Sequence, residues 1–350
     1  MTSSAQAATP AQRGRVDPRL RLLAFSLIGI VLYFLLLSAI VPGGAATAAQ
    51  QVANALTLGA IYALVALGYT MVYGIIELIN FAHGDVFMVG AFVSLYFLAG
   101  PLGQKNAVTD PLLLIALMLA AFAVTMTMMA VINATIERFA YRPLRHAPRV
   151  APLITAIGVS LILQNIMQIL VGTGDRPAPQ IFPLSIRFEV LGAKVPLLNL
   201  VILVIALTLM GSLQLFVNRT RLGRAMRATA QDQQAAQLMG VDLNQTIAAT
   251  FLIGGALAGA AGVFHGLYFG FVRFDLGFNA GLKAFTAAVL GGIGNLTGAA
   301  IGGFIIAFVE VFAAANGQQR WSQAIVFVVL IVVLVFRPAG ILGQQLGERA

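Results

Sequence analysis

Long apolar segments separated by short polar ones dominate the chain. Two of the segments, Val86–Ala99 and Leu282–Ile293, are shorter than the roughly 20 residues that a transmembrane helix needs, so each predicts either a short span or a re-entrant piece. The others are long enough, or nearly so, to cross a bilayer. We therefore predict an all-α polytopic bundle of eight to ten transmembrane helices, some short or broken. The ten segments are Leu22–Val41, Val52–Ile76, Val86–Ala99, Leu112–Ala134, Pro152–Val171, Leu197–Val217, Thr246–Gly270, Leu282–Ile293, Thr297–Ala315 and Trp321–Phe336.

Composition agrees with an integral membrane protein. Hydrophobic residues make up 59% of the 350 residues and charged residues only 9%, whereas a soluble domain carries about 25% charged residues. Strands of a membrane barrel would alternate in polarity, and these segments do not. Helices therefore account for the apolar pattern.

Catalytic chemistry has little support in the sequence. The chain has no Cys, and its three His stand far apart at positions 83, 146 and 265, so neither a thiolate site nor a clustered metal site is predicted. It also lacks the G-x-x-x-x-G-K-[ST] phosphate loop and the G-x-S-x-G nucleophile elbow. We expect no enzyme activity, no cofactor and no metal in this chain.

The distribution of basic residues predicts the orientation. If the N-terminus is cytoplasmic and the segments alternate, 14 Lys and Arg fall on the cytoplasmic side and 7 on the outside, Lys283 among the latter. This asymmetry follows the positive-inside rule, which accounts for the net charge of +9 without nucleic-acid binding. Both termini are cytoplasmic only if the number of spans is even.

The same reading divides the chain into three parts. Residues 1–20 form a cytoplasmic extension, 21–340 the transmembrane domain with a cytoplasmic loop at 218–245, and 341–350 a cytoplasmic tail. The first apolar segment exceeds the 7–15 residues of a signal-peptide core. It therefore favours an uncleaved anchor, although Ala46-Thr47-Ala48 resembles a cleavage site. The Pro-rich outside loop Gly172–Pro196 is either an ordered contact surface or a simple connector.

The polar stretch Gly223–Asp242 lies between two apolar segments and must lie in water. Its Ala, Gln, Met and Leu content predicts one helix over Arg224–Gly240 that ends at the Gly. Within it, two adjacent small residues, Ala235 and Ala236, would together seat one helix face in a groove of a partner. A solvated loop rich in Arg is the alternative.

Polar residues in the stretch Leu78–Asp85 have two interpretations. Asp85 is expected to cap the following helix by accepting backbone N–H bonds, and a direct contact with a solute is the alternative. Glu77 and Asn80 would share a helix face if the preceding helix continued. Glu310 is the clear acidic residue inside an apolar segment, which offers little sign of a proton relay.

Glycine patterns indicate close helix contacts and one break. Gly255-x-x-x-Gly259, Ala258-x-x-x-Gly262 and Gly298-x-x-x-Gly302 are small-xxx-small motifs, which predict tight helix packing. The block Gly291-Gly292-Ile293-Gly294-Asn295 cannot form a strong helix. It is either a plain turn or a broken segment whose backbone faces a polar solute.

Three blocks resemble the branched-chain amino-acid ABC permeases of the Liv type. They are the stretch Asn54–Gly68 followed by Asn80-Phe81-Ala82-His83-Gly84-Asp85, the stretch Arg224–Asp242 with Gln234-Ala235-Ala236-x-x-x-Gly240, and Lys283–Asn295. The second is similar to the coupling motif Glu-Ala-Ala-x-x-x-Gly, with Gln234 in place of the Glu. The blocks stand in family order over residues 50–340 and are more similar to the H-type subunit than to the M-type.

The resemblance implies a membrane subunit of an importer. It implies two ATP-binding cassette ATPases docked on the cytoplasmic loop, a second related permease that completes the pathway, a periplasmic binding protein, and a place in the inner membrane. The implied ATPase-coupling residues are Arg224, Arg227, Asp232, Gln234, Ala235, Ala236 and Gly240, and the implied substrate-pathway residues are Glu77, Asn80, His83, Gly291, Gly292, Gly294 and Asn295. Branched-chain amino acids are the expected solute. The alternatives are a permease for urea or short-chain amides, and a self-sufficient channel or secondary transporter.

Overall fold

A computed structural model describes residues 18–40, 44–104, 106–145, 147–148, 150–183 and 186–343, with side chains from residue 28 onward. Residues 1–17 of the predicted extension and 344–350 of the predicted tail lie outside this part. So do His146 and Arg149.

Ten long helices form a bundle in the described part of the chain. The long helices are α1 (Pro18–Ile40), α2 (Gly44–Ile76), α3 (Ala82–Ala99), α4 (Pro111–Ile136), α5 (Val150–Val171), α6 (Leu197–Arg219), α9 (Leu243–Phe269), α10 (Leu276–Gly291), α11 (Leu296–Ala315) and α12 (Ser322–Phe336). Two short helices, α7 (Arg221–Gln231) and α8 (Gln233–Leu238), lie between the long helices α6 and α9.

Eight of the described helices are long and apolar enough to cross a membrane, which confirms the predicted polytopic helical class. The segment predicted from Val86 is a full 18-residue helix that begins at Ala82. The segment predicted from Leu282 begins earlier too, as the 16-residue α10. The possible cleavage site Ala46–Ala48 lies in the first turn of α2.

The centre of the bundle is built by α2, α3 and α9, which are far more buried than α5, α6 and α12. Small residues make this contact possible. A Cβ on Gly255 would lie 2.3 Å from the carbonyl oxygen of Met129 on α4, and one on Gly262 would lie 2.5 Å from the backbone nitrogen of Ala91 on α3. Helix backbones therefore touch at the small-xxx-small motifs, and the packing prediction is confirmed.

Short strands form in the loop that connects α5 to α6. Strand β2 (Arg187–Val190) forms an antiparallel hairpin with β3 (Ala193–Pro196), and β1 (Arg176–Pro177) pairs with β4 (Phe271–Val272). Leu191 and Gly192 at the hairpin turn both have positive φ, as a two-residue hairpin turn requires. In the described residues of the loop predicted at Gly172–Pro196, paired strands are thus present.

Candidate functional site

Helices α7 and α8 form a water-facing segment at one end of the bundle. Thr220 begins α7 by accepting a hydrogen bond from the backbone N–H of Gly223 at 3.0 Å. Gly223 lets the segment fold back, since a Cβ there would lie 2.3 Å from the carbonyl oxygen of Val217 on α6. Met226 is 2% exposed and fixes α7 to the bundle.

The predicted single helix is interrupted at Asp232, which corrects the helix proposed over Arg224–Gly240. Asp232 has an extended backbone, and its carboxylate accepts from the N–H groups of Gln234 and Ala235 at 2.8 and 3.0 Å. It is therefore the N-cap of α8, a local role that competes with continued helix. Gly240 has φ of 85° just after α8, which confirms that this Gly ends the helix.

The two adjacent Ala residues of the motif do not share a face. Ala236 is 4% exposed and packs on the bundle, whereas Ala235 faces outward. The prediction that both seat in a partner groove is wrong, because consecutive helical residues point about 100° apart. Arg224, Arg227 and Gln234 are exposed on the same segment.

Two large apolar residues stand out at the end of α8. Leu238 and Met239, which directly precede Gly240, are 88% and 85% exposed. Sequence analysis overlooked them, although an apolar pair in an otherwise polar stretch was a readable signal. An exposed apolar pair of this kind is a candidate contact with another protein or with the membrane surface.

The α7–α8 segment is tied to the connection between α2 and α3. The Gln233 amide donates to the carbonyl oxygen of Ile75 at the end of α2, with a distance of 2.9 Å. Helix α2 ends at Ile76, and Glu77 adopts a left-handed backbone with φ of 54°. Glu77 and Asn80 thus do not share a helix face, and Glu77 is exposed while Asn80 is buried.

Asn80 and His83 are packed inside the bundle. The Tyr141 hydroxyl donates to Asn80 Oδ1 at 2.7 Å, and Tyr141 itself lies in a single π-helical turn after α4. His83 is fully buried with its ring edge-on to Tyr69. Gly68 makes room for this imidazole, because a Cβ there would lie 2.2 Å from His83 Nε2.

Asp85 does not cap α3, which corrects the expectation from the sequence. Residue Phe81 is at the N-cap, and Asp85 lies inside the first turn, fully buried. Its carboxylate accepts hydrogen bonds from the Ser160 hydroxyl and from Gln164 Nε2, the latter at 3.0 Å, both on α5. Among the described residues no basic side chain pairs with it.

The Gly-rich block is a closed turn between α10 and α11. Gly292 and Gly294 have φ of 108° and 86°, and Asn295 caps α11 by accepting from the N–H of Gly298 at 3.0 Å. The backbone N–H groups of Ile341 and Leu342, after α12, donate to the carbonyl oxygens of Leu290 and Gly291 at 2.9 and 3.0 Å.

These contacts favour the interpretation of the block as a plain turn. The chain after α12 uses the end carbonyls of α10, and the Asn295 amide donates to the carbonyl oxygen of Leu342 at 2.8 Å. A Cβ on Gly74 of α2 would lie 3.1 Å from Gly294 Cα, so this turn and the end of α2 lie at the same end of the bundle. A role of Gly291, Gly292, Gly294 and Asn295 in a solute pathway stays a prediction.

A charged pair lies between α2, α10 and α11. Lys283 Nζ is 2.6 Å from Glu310 Oε1, and the Tyr62 hydroxyl donates to Glu310 Oε2 at 2.9 Å. The alternation of spans placed Lys283 in an outside loop, and this is wrong: it lies within α10. The readable signal was one cation and one anion inside successive apolar segments, since such charges in a bundle pair with each other.

Comparison with known proteins gives a consistent result. The family described as the branched-chain amino acid transport system permease component matches residues 51–334. The high-affinity branched-chain amino acid transport system permease protein BraD of Pseudomonas aeruginosa is 43% identical over 303 residues, which cover 86% of this chain and 97% of that protein. The corresponding permease protein LivH of Escherichia coli is 41% identical with the same coverage.

A more distant relative is the autoinducer 2 import system permease protein LsrD of Escherichia coli, which is 27% identical over 57% of this chain and 63% of that protein. No solved structure matches the chain. The family match covers most of the chain, and the first two relatives are matched over nearly their whole length. The protein with this helical bundle and its water-facing α7–α8 segment therefore belongs to the branched-chain amino acid transport system permease family.

Proposed function

We propose that this chain is a membrane-spanning permease subunit of a binding-protein-dependent ABC importer for branched-chain amino acids. It forms half of the translocation pathway, and a second related permease forms the other half. Two ATP-binding cassette subunits supply the energy and a periplasmic binding protein delivers the solute. The chain resides in the inner membrane, with its α7–α8 segment and both termini in the cytoplasm.

The observation that carries this proposal is the outward surface of α8. Leu238 and Met239 present apolar side chains to water at the tip of the segment, beside the exposed Ala235. A partner groove that covers them would bury an apolar anchor, the usual centre of a protein interface. The exposed Arg224 and Arg227 lie on α7 of the same segment and suit acidic groups on a partner.

The rigid attachment of the segment suits energy transfer. Met226 is buried, and Gln233 is hydrogen-bonded to the end of α2, the most buried of the spanning helices. A displacement of α8 by a partner would therefore reach α2 and the connection to α3 directly. This is how we infer that ATPase motion is passed to the bundle.

The experiment compares a double variant of Leu238 and Met239 with a charge variant on the β2–β3 hairpin. In Leu238→Glu/Met239→Glu, the apolar anchor becomes acidic, so the ATPase subunits should no longer copurify with the permease and ATP-dependent leucine uptake should be lost. In the control, Lys194→Glu on the exposed β2–β3 hairpin, both should remain. Membrane levels should be normal in both variants, and normal uptake in the double variant would contradict the docking role.

Reconstitution tests the transport class separately. Purified chain alone in liposomes should not move leucine, whereas the complex with both ATPases, the second permease and the binding protein should do so when ATP is present. Leucine flux through the chain alone would identify a channel or secondary transporter instead. Uptake of urea but not leucine by the complex would move the solute assignment to the amide class.

A further inference from the structure

The Lys283–Glu310 pair, together with Tyr62, is a charged cluster that the mechanism above leaves without a role. It joins three helices: Tyr62 is on α2, Lys283 on α10 and Glu310 on α11. Lys283 Nζ is also 3.4 Å from the Tyr62 hydroxyl oxygen and 5.8 Å from the centre of that ring. The cation and the anion are thus held side by side with their orientation fixed by the phenol.

Both charges are partly accessible. The side chains of Lys283 and Glu310 are 15% and 18% exposed, whereas Asp85 is fully buried. Charged side chains in membrane-spanning segments face the bundle interior or a water-filled cavity, since lipid contact is costly. We therefore expect the accessible part of this pair to face a polar space.

Helix α10 extends the polar surface away from the pair. Asn279 lies four residues before Lys283, one helical turn away on the same face, and is exposed. A solute at this face would meet an amide, a cation and an anion in sequence.

We propose that the Lys283–Glu310 pair is a recognition site for a zwitterionic α-amino acid, an inference that rests on the proposed import function. An α-amino acid carries its carboxylate and its ammonium group on the same carbon atom. When it enters, its carboxylate pairs with Lys283 and its ammonium group with Glu310, so the internal ion pair opens and two new pairs form. Tyr62 keeps its hydrogen bond to Glu310 and holds the anion in place.

The chemistry selects against uncharged solutes. Urea or an amide would have to separate the two charges without supplying an opposite charge to either of them, and an unpaired charge in a bundle is strongly unfavourable. A solute with only one charge would satisfy one side chain and leave the other unpaired. Selection for zwitterions at this site is independent of the selection made by a binding protein.

A neutral double variant separates recognition from a structural role. Removal of one partner leaves a buried charge unpaired, but replacement of a whole buried pair by neutral groups is often neutral for stability. Lys283→Met/Glu310→Gln should therefore keep the thermal unfolding temperature of the permease and its copurification with the ATPase subunits. Its kcat/KM for leucine import should fall by about tenfold or more. A double variant with wild-type kcat/KM would overturn the proposal.

A second measurement uses the unmodified chain in its complex and does not depend on the folding of a variant. A carbodiimide that reacts with carboxyl groups should modify Glu310, and saturating leucine should slow this reaction while urea should not. Mass spectrometry of the peptide that contains Glu310 gives the rate. Equal rates with leucine and with urea would overturn the proposal. Absence of leucine import by the wild-type complex would instead contradict the proposed function, so the two failures are distinguishable.

Discussion

The contact of α9 with α3 and α4 differs sharply from the α7–α8 segment. In the first region, helix backbones touch, and Gly255 and Gly262 have no space for even one added carbon atom. In the second, most of α8 faces water, and Gly240 has no neighbouring atom within reach of an added Cβ. The first region holds the fold and the second presents side chains, so substitutions in the two should separate stability from coupling.

The largest loss of stability is expected for Gly255→Ala. Its added methyl group would lie 2.3 Å from a backbone oxygen of α4, which cannot turn aside as a side chain could. We expect a loss at the upper end of single substitutions, about 4 kcal/mol or more, and therefore little folded protein in the membrane. Gly158→Ala on α5 is the matched control, because its Cβ meets no atom within 4 Å. Equal yields of the two variants would show that the backbone contact does not limit stability.

The second-largest loss of stability is expected for Asp85→Ala. The substitution leaves the buried Ser160 hydroxyl without its acceptor, at a cost of about 1–3 kcal/mol, while the Gln164 amide keeps Ser160 Oγ as an acceptor at 3.3 Å. Thermal unfolding of the purified protein should report this loss. Ser212→Ala is the control, since that exposed hydroxyl bonds only within its own helix. An unchanged unfolding temperature for Asp85→Ala would mean that the α3–α5 contact is not held by this carboxylate.

Asp232→Ala should have a smaller and local effect. It removes the cap of α8, which typically contributes about 1 kcal/mol, while the bundle contacts stay in place. Hydrogen exchange at the amides of residues 233–238 should become faster, and exchange in α9 should not change. Asp242→Ala provides the comparison, because Asp242 caps α9 in the same way by accepting from the N–H of Gln245. Faster exchange in α9 and in the rest of the bundle as well would contradict a purely local role.

The smallest effect on stability is expected for Ala235→Arg, which should nevertheless disrupt coupling. Ala235 is exposed, so the larger side chain can extend into water without strain in the free permease, but it occupies the proposed ATPase contact. Ala236→Arg at the neighbouring buried position should instead dislodge α8 and lower stability. Unfolding temperature and ATP-dependent uptake should be measured for both. Normal uptake in Ala235→Arg would show that the exposed face of α8 does not take part in energy transfer.

The sequence by itself determined the class of the fold and much of its local structure. Long apolar segments without alternating polarity require spanning helices, because the bilayer has a fixed thickness and backbone groups inside it must be satisfied within the protein. The role of Gly240 as a helix end and the close contacts at Gly255 and Gly262 were likewise readable, since they follow from local backbone geometry and from side-chain size. The family blocks added the coupling segment as a candidate site.

Only the tertiary structure decided which groups meet. Asp85 was expected to bond its own helix, yet its partners lie 75 and 79 residues away on α5. Lys283 and Glu310 form a pair because α10 and α11 pack together. Ala235 and Ala236 differ in exposure because one face of α8 packs on the bundle and the other does not. Hydrophobic length and helix ends depend on neighbours along the chain, whereas the partners of a polar side chain depend on which helices pack side by side.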